Sequence, residues 1–161
     1  MTFLSINDTA AFMNKLLVKD SFDDFETVSI TLSTFADYTI NGRINKNFFD
    51  DEHNPEAEYS DWGTFKPTCY NLIKGRRTPL KLHIVMKAPS PLLYSILKAQ
   101  DYPEPYTGLS FFFNIKYEGN RLSIITATSS NTFLLDKSYE SIWDRYVPEL
   151  LTQNNIEFEE Q

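Results

Sequence analysis

The segment that most constrains the fold is GLSFFFNIKYEGNRLSIITATS, residues 108–129. Its large side chains recur at every second position, and in an extended strand they would share one face: Leu109, Phe111, Phe113, Ile115 and Tyr117. Gly119-Asn120 follows them and suits a two-residue turn. The segment therefore predicts a long β-hairpin with one apolar face.

Two other stretches show the same alternation. Residues 25–34 alternate through Val28, Ile30 and Leu32, and residues 80–86 alternate through leucine, isoleucine and methionine. Asn41-Gly42 is a strong signal for a tight hairpin turn, because a type I′ turn needs positive φ at both central residues. We therefore expect one bend at 34–37 and a second at Asn41-Gly42.

Helical periodicity and end signals predict four helices. They are expected near residues 5–20, 65–75, 90–100 and from 138 onward. In the first, Ser5 and Asp8 resemble a capping pair. Pro67 would stand near the first turn of the second helix, and Pro148 is expected to kink or break the last.

These elements predict an α+β fold. Its sheet should be largely antiparallel, with about five to seven strands and about four helices packed mainly on one face. The length of 161 residues, with 42% hydrophobic residues, favours a single domain. Residues 50–61, rich in acidic side chains, are expected to form a surface loop, and residues 155–161 an edge strand or a frayed tail.

Charge and composition limit the classes of partner. The net charge of −7 makes non-specific nucleic-acid binding unfavourable, because an acidic surface repels phosphates. The single cysteine, Cys69, fits a reducing compartment, and no signal peptide or membrane span is visible, so we expect a cytoplasmic protein. The partner stays open between another protein and a second copy of the chain.

Four segments together carry a family resemblance: STFADYTINGR, LIKGRRTPLKLHIV, the 108–129 hairpin and LDKSYESIWD. They resemble a small bacterial family of short single-domain proteins of unknown function, over most of the chain. That family has no assigned activity and no assigned catalytic residue. The resemblance therefore implies a bacterial, cytoplasmic protein, and it brings no site residue.

Catalytic motifs are absent from the sequence. It has no glycine-rich phosphate loop, no nucleophile elbow and no metal-spaced set of cysteines and histidines, so we predict no catalytic residue, no metal and no cofactor. The two histidines are expected in the acidic loop (His53) and on the polar side of a strand (His83). An enzyme that uses Cys69 with His83 is the least favoured alternative, although a first-turn position could activate the cysteine.

The basic segment KGRRTP, residues 74–79, has two explanations. Its cations could simply interact with the negative end of a helix that Gly75 terminates. Alternatively, Lys74, Arg76 and Arg77 could combine with Arg43 into a site for a phosphate-bearing ligand or a nucleic-acid end, since arginine grips such groups with two hydrogen bonds. The acidic loop is an internal competitor for these cations.

Phe112 is the candidate for an interaction surface. It alternates with Phe111 and Phe113 and should therefore point to the opposite side of the sheet. If helices cover only one face, Phe112 would mark a surface for a partner protein or for self-association. We accordingly rank a non-enzymatic interaction or accessory module first and an anion-binding domain second.

Overall fold

Seven strands form one antiparallel sheet in the computed structural model, which describes residues 1–161. In chain order they are β1 (Phe3–Ile6), β2 (Glu26–Ser33), β3 (Asp37–Asn41), β4 (Lys81–Lys87), β5 (Leu109–Glu118), β6 (Arg121–Ser130) and β7 (Phe158–Glu160). Across the sheet the order is β3-β2-β4-β5-β6-β1-β7, and every neighbouring pair is antiparallel.

The helices are α1 (Thr9–Leu17), α2 (Trp62–Ile73), α3 (Ser90–Ala99) and α4 (Ser138–Gln153), with a 3-10 turn at Lys46–Phe48. All four α-helices add buried side chains to one core of 32 buried residues. The α+β class, the antiparallel sheet and the four helices were all predicted and are confirmed. None of the helices is long and apolar enough to cross a membrane.

Alternation along the central strands separates a covered face from an open face. On the covered face, Leu82, Ile84 and Met86 of β4 are fully buried, and Phe113 of β5 contacts the rings of Phe25 and Trp143. The alternate positions of β4 and β5 contain no buried residue. The helices therefore lie on one side only, as the sequence indicated.

The β5–β6 hairpin forms as predicted. Its ladder runs from Leu109 opposite Ser130 to Glu118 opposite Arg121. Gly119 and Asn120 both have a φ of 60°, which a type I′ turn requires. Asparagine tolerates this conformation better than other residues with a Cβ atom, so the turn fixes the register.

Two tryptophans join the helices to the rest of the core. The indole Nε1 of Trp62 in α2 donates to the carbonyl of Leu16 in α1, at 2.7 Å. Nε1 of Trp143 in α4 donates to the carbonyl of Phe112 at 2.7 Å, and its ring stacks on Phe111 with centroids 5.0 Å apart. Each buried indole N–H thus has a partner, as burial demands.

The prediction of a tight turn at Asn41-Gly42 is wrong. Neither residue has positive φ, and the chain continues in extended form to an isolated bridge between Arg43 and Tyr59. Gly42 is instead required by close packing, because a Cβ atom there would overlap the carbonyl oxygen of Thr27. The bend between β2 and β3 lies at 34–36, within the other range that the sequence indicated.

The first two helices begin elsewhere than expected. Ser5 belongs to strand β1, and the side chain of Asp8 caps α1 by accepting from Ala11 N at 3.0 Å. Helix α2 starts early, at Trp62, so Pro67 lies inside it. Consequently Cys69 is in the second half of α2 and not in its first turn.

The last helix is not broken at Pro148. It continues to Gln153, where the buried Leu151 packs into the core. This packing offsets the hydrogen bond that a proline removes from a helix interior. Residues Phe158–Glu160 then add β7 beside β1 at the sheet edge.

Candidate functional site

The segment 74–79, between α2 and β4, forms one wall of a cleft of about 450 Å³ that we call the basic cleft. Helix α1 forms the facing wall, and Ile73 and Tyr117 complete the lining. The twelve lining residues are Thr9, Ala10, Met13, Leu17, Ile73, Lys74, Gly75, Arg76, Arg77, Thr78, Pro79 and Tyr117. The volume lies within the range of small-molecule sites, roughly 300 to 1,000 Å³.

Three cations stand at this cleft without partners. Lys74, Arg76 and Arg77 are exposed, and none of them forms an ion pair or a side-chain hydrogen bond. No acidic residue lines the cleft, although the chain contains 22 of them. The local charge is therefore opposite in sign to that of the whole protein.

The backbone explains how the segment leaves the helix. Lys74 N donates to the carbonyl of Tyr70 at 2.8 Å and closes the last turn of α2. Gly75 follows with a φ of 145°, which other residues rarely adopt. Leu80 N then donates to the carbonyl of Ser33 at 2.9 Å, directly before β4 begins. The three cationic side chains are not used to cap the helix by hydrogen bonds.

The opposite wall is apolar. Met13, Leu17 and Ile73 are only partly buried and pack against the edge of the core. Tyr117 is buried, and its hydroxyl donates to Asn120 Oδ1 at 3.1 Å. The basic cleft thus combines a cationic rim with a hydrophobic wall.

Arg43 lies far from these three cations. It forms an ion pair with Glu58 at 2.8 Å and stands over the ring of Tyr59, beside Lys87. Lys87 ends β4, whereas the 74–79 segment precedes the start of β4, and seven residues of strand span roughly 20 Å. The structure therefore brings Lys74, Arg76 and Arg77 together but leaves Arg43 with the acidic loop, the competitor that the sequence suggested.

Cys69 and His83 lie on opposite sides of the sheet. Cys69 is fully buried in the core, and burial raises the pKa of its thiol to about 11. His83 alternates with the buried Leu82 and Ile84 and so faces the open side, opposite Thr31. The two side chains cannot act as a nucleophile and base pair.

The acidic loop contains a small exposed contact. His53 Nδ1 lies 2.7 Å from Asp50 Oδ1, with both side chains exposed. No group of three or more histidine, cysteine or carboxylate side chains is placed to hold a metal ion. Nothing in this loop adds to the basic cleft.

A family model covers most of the chain. The model of a family of unknown function, DUF5721, matches residues 15–159. The chain belongs to the DUF5721 family. No curated protein and no solved structure gives a significant match. The function of this family is unknown.

Phe112 of the DUF5721 protein lies on the open face, half-buried between Lys87 of β4 and Ala127 of β6. The same face has a hollow of about 640 Å³ over β1, β5 and β6, which Phe3, Lys116 and Arg121 help to line. The structure thus places Phe112 on a face that no helix covers, where the alternation predicted it.

The contribution of α1 to the basic cleft was not predicted. The sequence signal for this contribution is the width of the apolar stripe of α1. The stripe is wider than the part of the helix that the core buries, and it consists of Phe12, Met13, Leu16 and Leu17. Phe12 and Leu16 are fully buried, and the other two line the cleft of the DUF5721 protein.

Proposed function

We propose that this DUF5721 protein is a non-enzymatic binding domain for a small anionic ligand, and that the basic cleft is its site. The observation that carries the proposal is the unpaired state of Lys74, Arg76 and Arg77 around a concave site that no acidic residue lines. In an acidic protein, cationic side chains commonly form ion pairs with carboxylates, and these three side chains form none.

Electrostatics favour an anion there despite the nearby helix end. The C-terminus of α2 carries the equivalent of about half a negative charge. Three full positive charges outweigh it, and the two arginines can each bind a phosphate or carboxylate with two hydrogen bonds. The absence of histidine, cysteine and carboxylates from the lining supports binding over catalysis.

The test is a titration with inorganic pyrophosphate, in which thermal shift and calorimetry measure binding at low and at high salt. We expect the melting temperature to rise with pyrophosphate and the effect to fade at high salt. The double variant Arg76→Ala/Arg77→Ala should lose the effect. Lys116→Ala/Arg121→Ala makes the same change in net charge on the open face and should retain it. Equal loss in both double variants would refute a specific site.

A second candidate function, an accessory module that binds another protein, is favoured by the open face. Phe3 is 37% exposed there. Cations and acids are balanced across this face: Lys81 pairs with Glu118, Lys87 lies opposite Glu26, and Asp37 and Glu159 lie on the strands at its two edges. Charge therefore does not exclude a second copy of the chain, and the exposed apolar side chains of the face are what favour a protein partner. Light scattering distinguishes the two partners, because the monomer mass of 18.7 kDa at all concentrations would favour a different protein. A concentration-dependent dimer that Phe112→Ser abolishes would make it a self-association surface instead.

The reducing, cytoplasmic compartment remains part of this proposal. The single free, buried thiol of Cys69 supports it, because such a thiol needs no oxidising environment.

A further inference from the structure

We infer that the ligand of the basic cleft is an amphipathic anion, in which one phosphate or carboxylate head is joined to an apolar alkyl, acyl or aryl body. This inference rests on the proposed function, since it names the chemical class that the same site would take. It depends on how charge, hydrophobic surface and hydrogen-bonding groups are distributed over the cleft.

Charge and hydrophobic surface occupy different walls. All three cations belong to residues 74–77, whereas the lining from α1 and the end of α2 is apolar apart from Thr9. A compact anion such as free phosphate would bind the cations and leave the apolar wall in water. A ligand with an apolar body would cover that wall as well, and burial of each methylene group is favourable.

The apolar wall has surface left to bury. Met13, Leu17 and Ile73 are partly buried side chains that lie against the core without being enclosed by it. Methionine adapts its shape to different apolar partners, because its side chain is flexible and polarisable. These residues can therefore pack against ligands whose apolar bodies differ in shape.

The cleft has few groups that could bind a polar body. Apart from the cations, the side chains of its lining offer only the hydroxyls of Thr9, Thr78 and Tyr117 for hydrogen bonds, and that of Tyr117 already donates to Asn120. A sugar or a nucleobase against Met13 and Leu17 would leave several buried donors and acceptors unpaired, and each unpaired group is unfavourable. A nucleotide or a sugar phosphate is thus a poor fit, and an alkyl, acyl or aryl anion is a good one.

The test is a calorimetric titration with methyl, butyl, hexyl and octyl phosphate, all kept in monomeric solution. We expect the dissociation constant to fall as the chain lengthens, by up to about fourfold for each methylene that the cleft buries. The matching series of carboxylates identifies the preferred head, and either head fits the inference. Anionic vesicles form a further arm: binding to vesicles without binding to any soluble member of the series would overturn it.

Two variants separate the apolar wall from the charged rim. Met13→Gln keeps the length of the side chain but makes it polar, and it should flatten the dependence on chain length while methyl phosphate binds as before. Ala10→Phe, at an exposed position of α1, should exclude octyl phosphate by filling the cleft, and it does not disturb the core. Val18→Gln, exposed at the end of the same helix and outside the cleft, is the control.

The outcomes distinguish this inference from the proposed function. Affinity that depends on Arg76 and Arg77 but not on chain length would overturn the amphipathic ligand and leave an anion site. Failure of pyrophosphate and of every phosphate and carboxylate in the two series would overturn both. Chain-length dependence that persists unchanged in Met13→Gln and Ala10→Phe would place the apolar contact outside the cleft and overturn the inference.

Discussion

At the scale of single residues, Gly42 has the least freedom to change. A Cβ atom at this position would overlap the backbone oxygen of Thr27, which is fully buried at the bulge in β2. We expect Gly42→Ala to lower the free energy of unfolding by about 2 kcal/mol or more, because the obstacle is backbone and cannot rotate away.

Gly63 provides the matched control for Gly42. It lies in the first turn of α2, and a Cβ atom there would meet its nearest neighbour, the side chain of Asp23, at 3.4 Å. Gly63→Ala should therefore change stability by no more than about 1 kcal/mol in urea unfolding. Equal effects of the two substitutions would show that close packing at Gly42 is not the reason for its glycine.

The thiol of Cys69 is expected to be inert in the folded protein. With a pKa of about 11, it is almost wholly protonated at pH 8, and the core shields it from reagents. A chromogenic disulfide reagent should label it at a rate limited by unfolding, and rapidly once denaturant is added. Labelling of the native protein as fast as free cysteine would revive a role for Cys69 in chemistry.

At the scale of elements, α4 is held on the sheet by Trp143. Its indole N–H donates to the carbonyl of Phe112 and its ring stacks on Phe111. Trp143→Phe keeps an aromatic ring but leaves that carbonyl without the donor, so we expect a loss of about 1–3 kcal/mol in the free energy of unfolding. Urea unfolding followed by far-ultraviolet circular dichroism measures it.

The control for Trp143→Phe is Tyr70→Phe in α2. Tyr70 is exposed, and its hydroxyl has no hydrogen bond, so little change is expected. A loss in Trp143→Phe no greater than in Tyr70→Phe would contradict the role given to the indole.

The elements that sequence predicts well are those with long, regular patterns. The β5–β6 hairpin has an unbroken alternation and a turn whose two residues both accept positive φ, so local chemistry decides it. Strand β1 has only four residues, and its partner β6 lies some 120 positions away in the chain, so no local pattern marks it. At Asn41-Gly42 a turn signal was overridden by the packing of Gly42 against Thr27.

The candidate site was predictable only in part, for a related reason. The cations of the 74–79 segment are adjacent in sequence, so the sequence alone predicts that they lie together. Their juxtaposition with α1, some 60 residues earlier, depends on the packing of α1 beside α2, which only the tertiary structure provides. Arg43 was assigned to the same site on charge alone, and its ion pair with Glu58 places it elsewhere.

At the scale of the whole molecule, buried ionisable groups predict a loss of stability in alkali. Burial raises the pKa of Cys69 to about 11, and burial likewise raises the pKa values of Tyr102, Tyr139 and Tyr146. The unfolded chain therefore loses these protons at lower pH than the folded protein. The stability that these bound protons provide is fully present below the pKa values of the unfolded chain, roughly 8.5 for cysteine and 10 for tyrosine. It is lost as the pH rises through the pKa values of the folded protein.

We accordingly expect the free energy of unfolding to fall steadily from about pH 9 upward. Cys69→Ala should remove the earliest part of this fall and leave the tyrosine part above about pH 10. Urea unfolding at several pH values measures both. A stability that stays constant to pH 11 would contradict the burial of these groups.

The whole molecule is proposed to bind a ligand with a charged head and an apolar body in the basic cleft. The most direct measurement is a titration of the ¹⁵N-labelled protein with octyl phosphate, followed by amide chemical shifts. We expect saturable shifts concentrated in α1, in residues 73–79 and at Tyr117, and we expect them to be lost in Arg76→Ala/Arg77→Ala. Shifts confined to the open face around Phe112, or no saturable shifts at all, would contradict it.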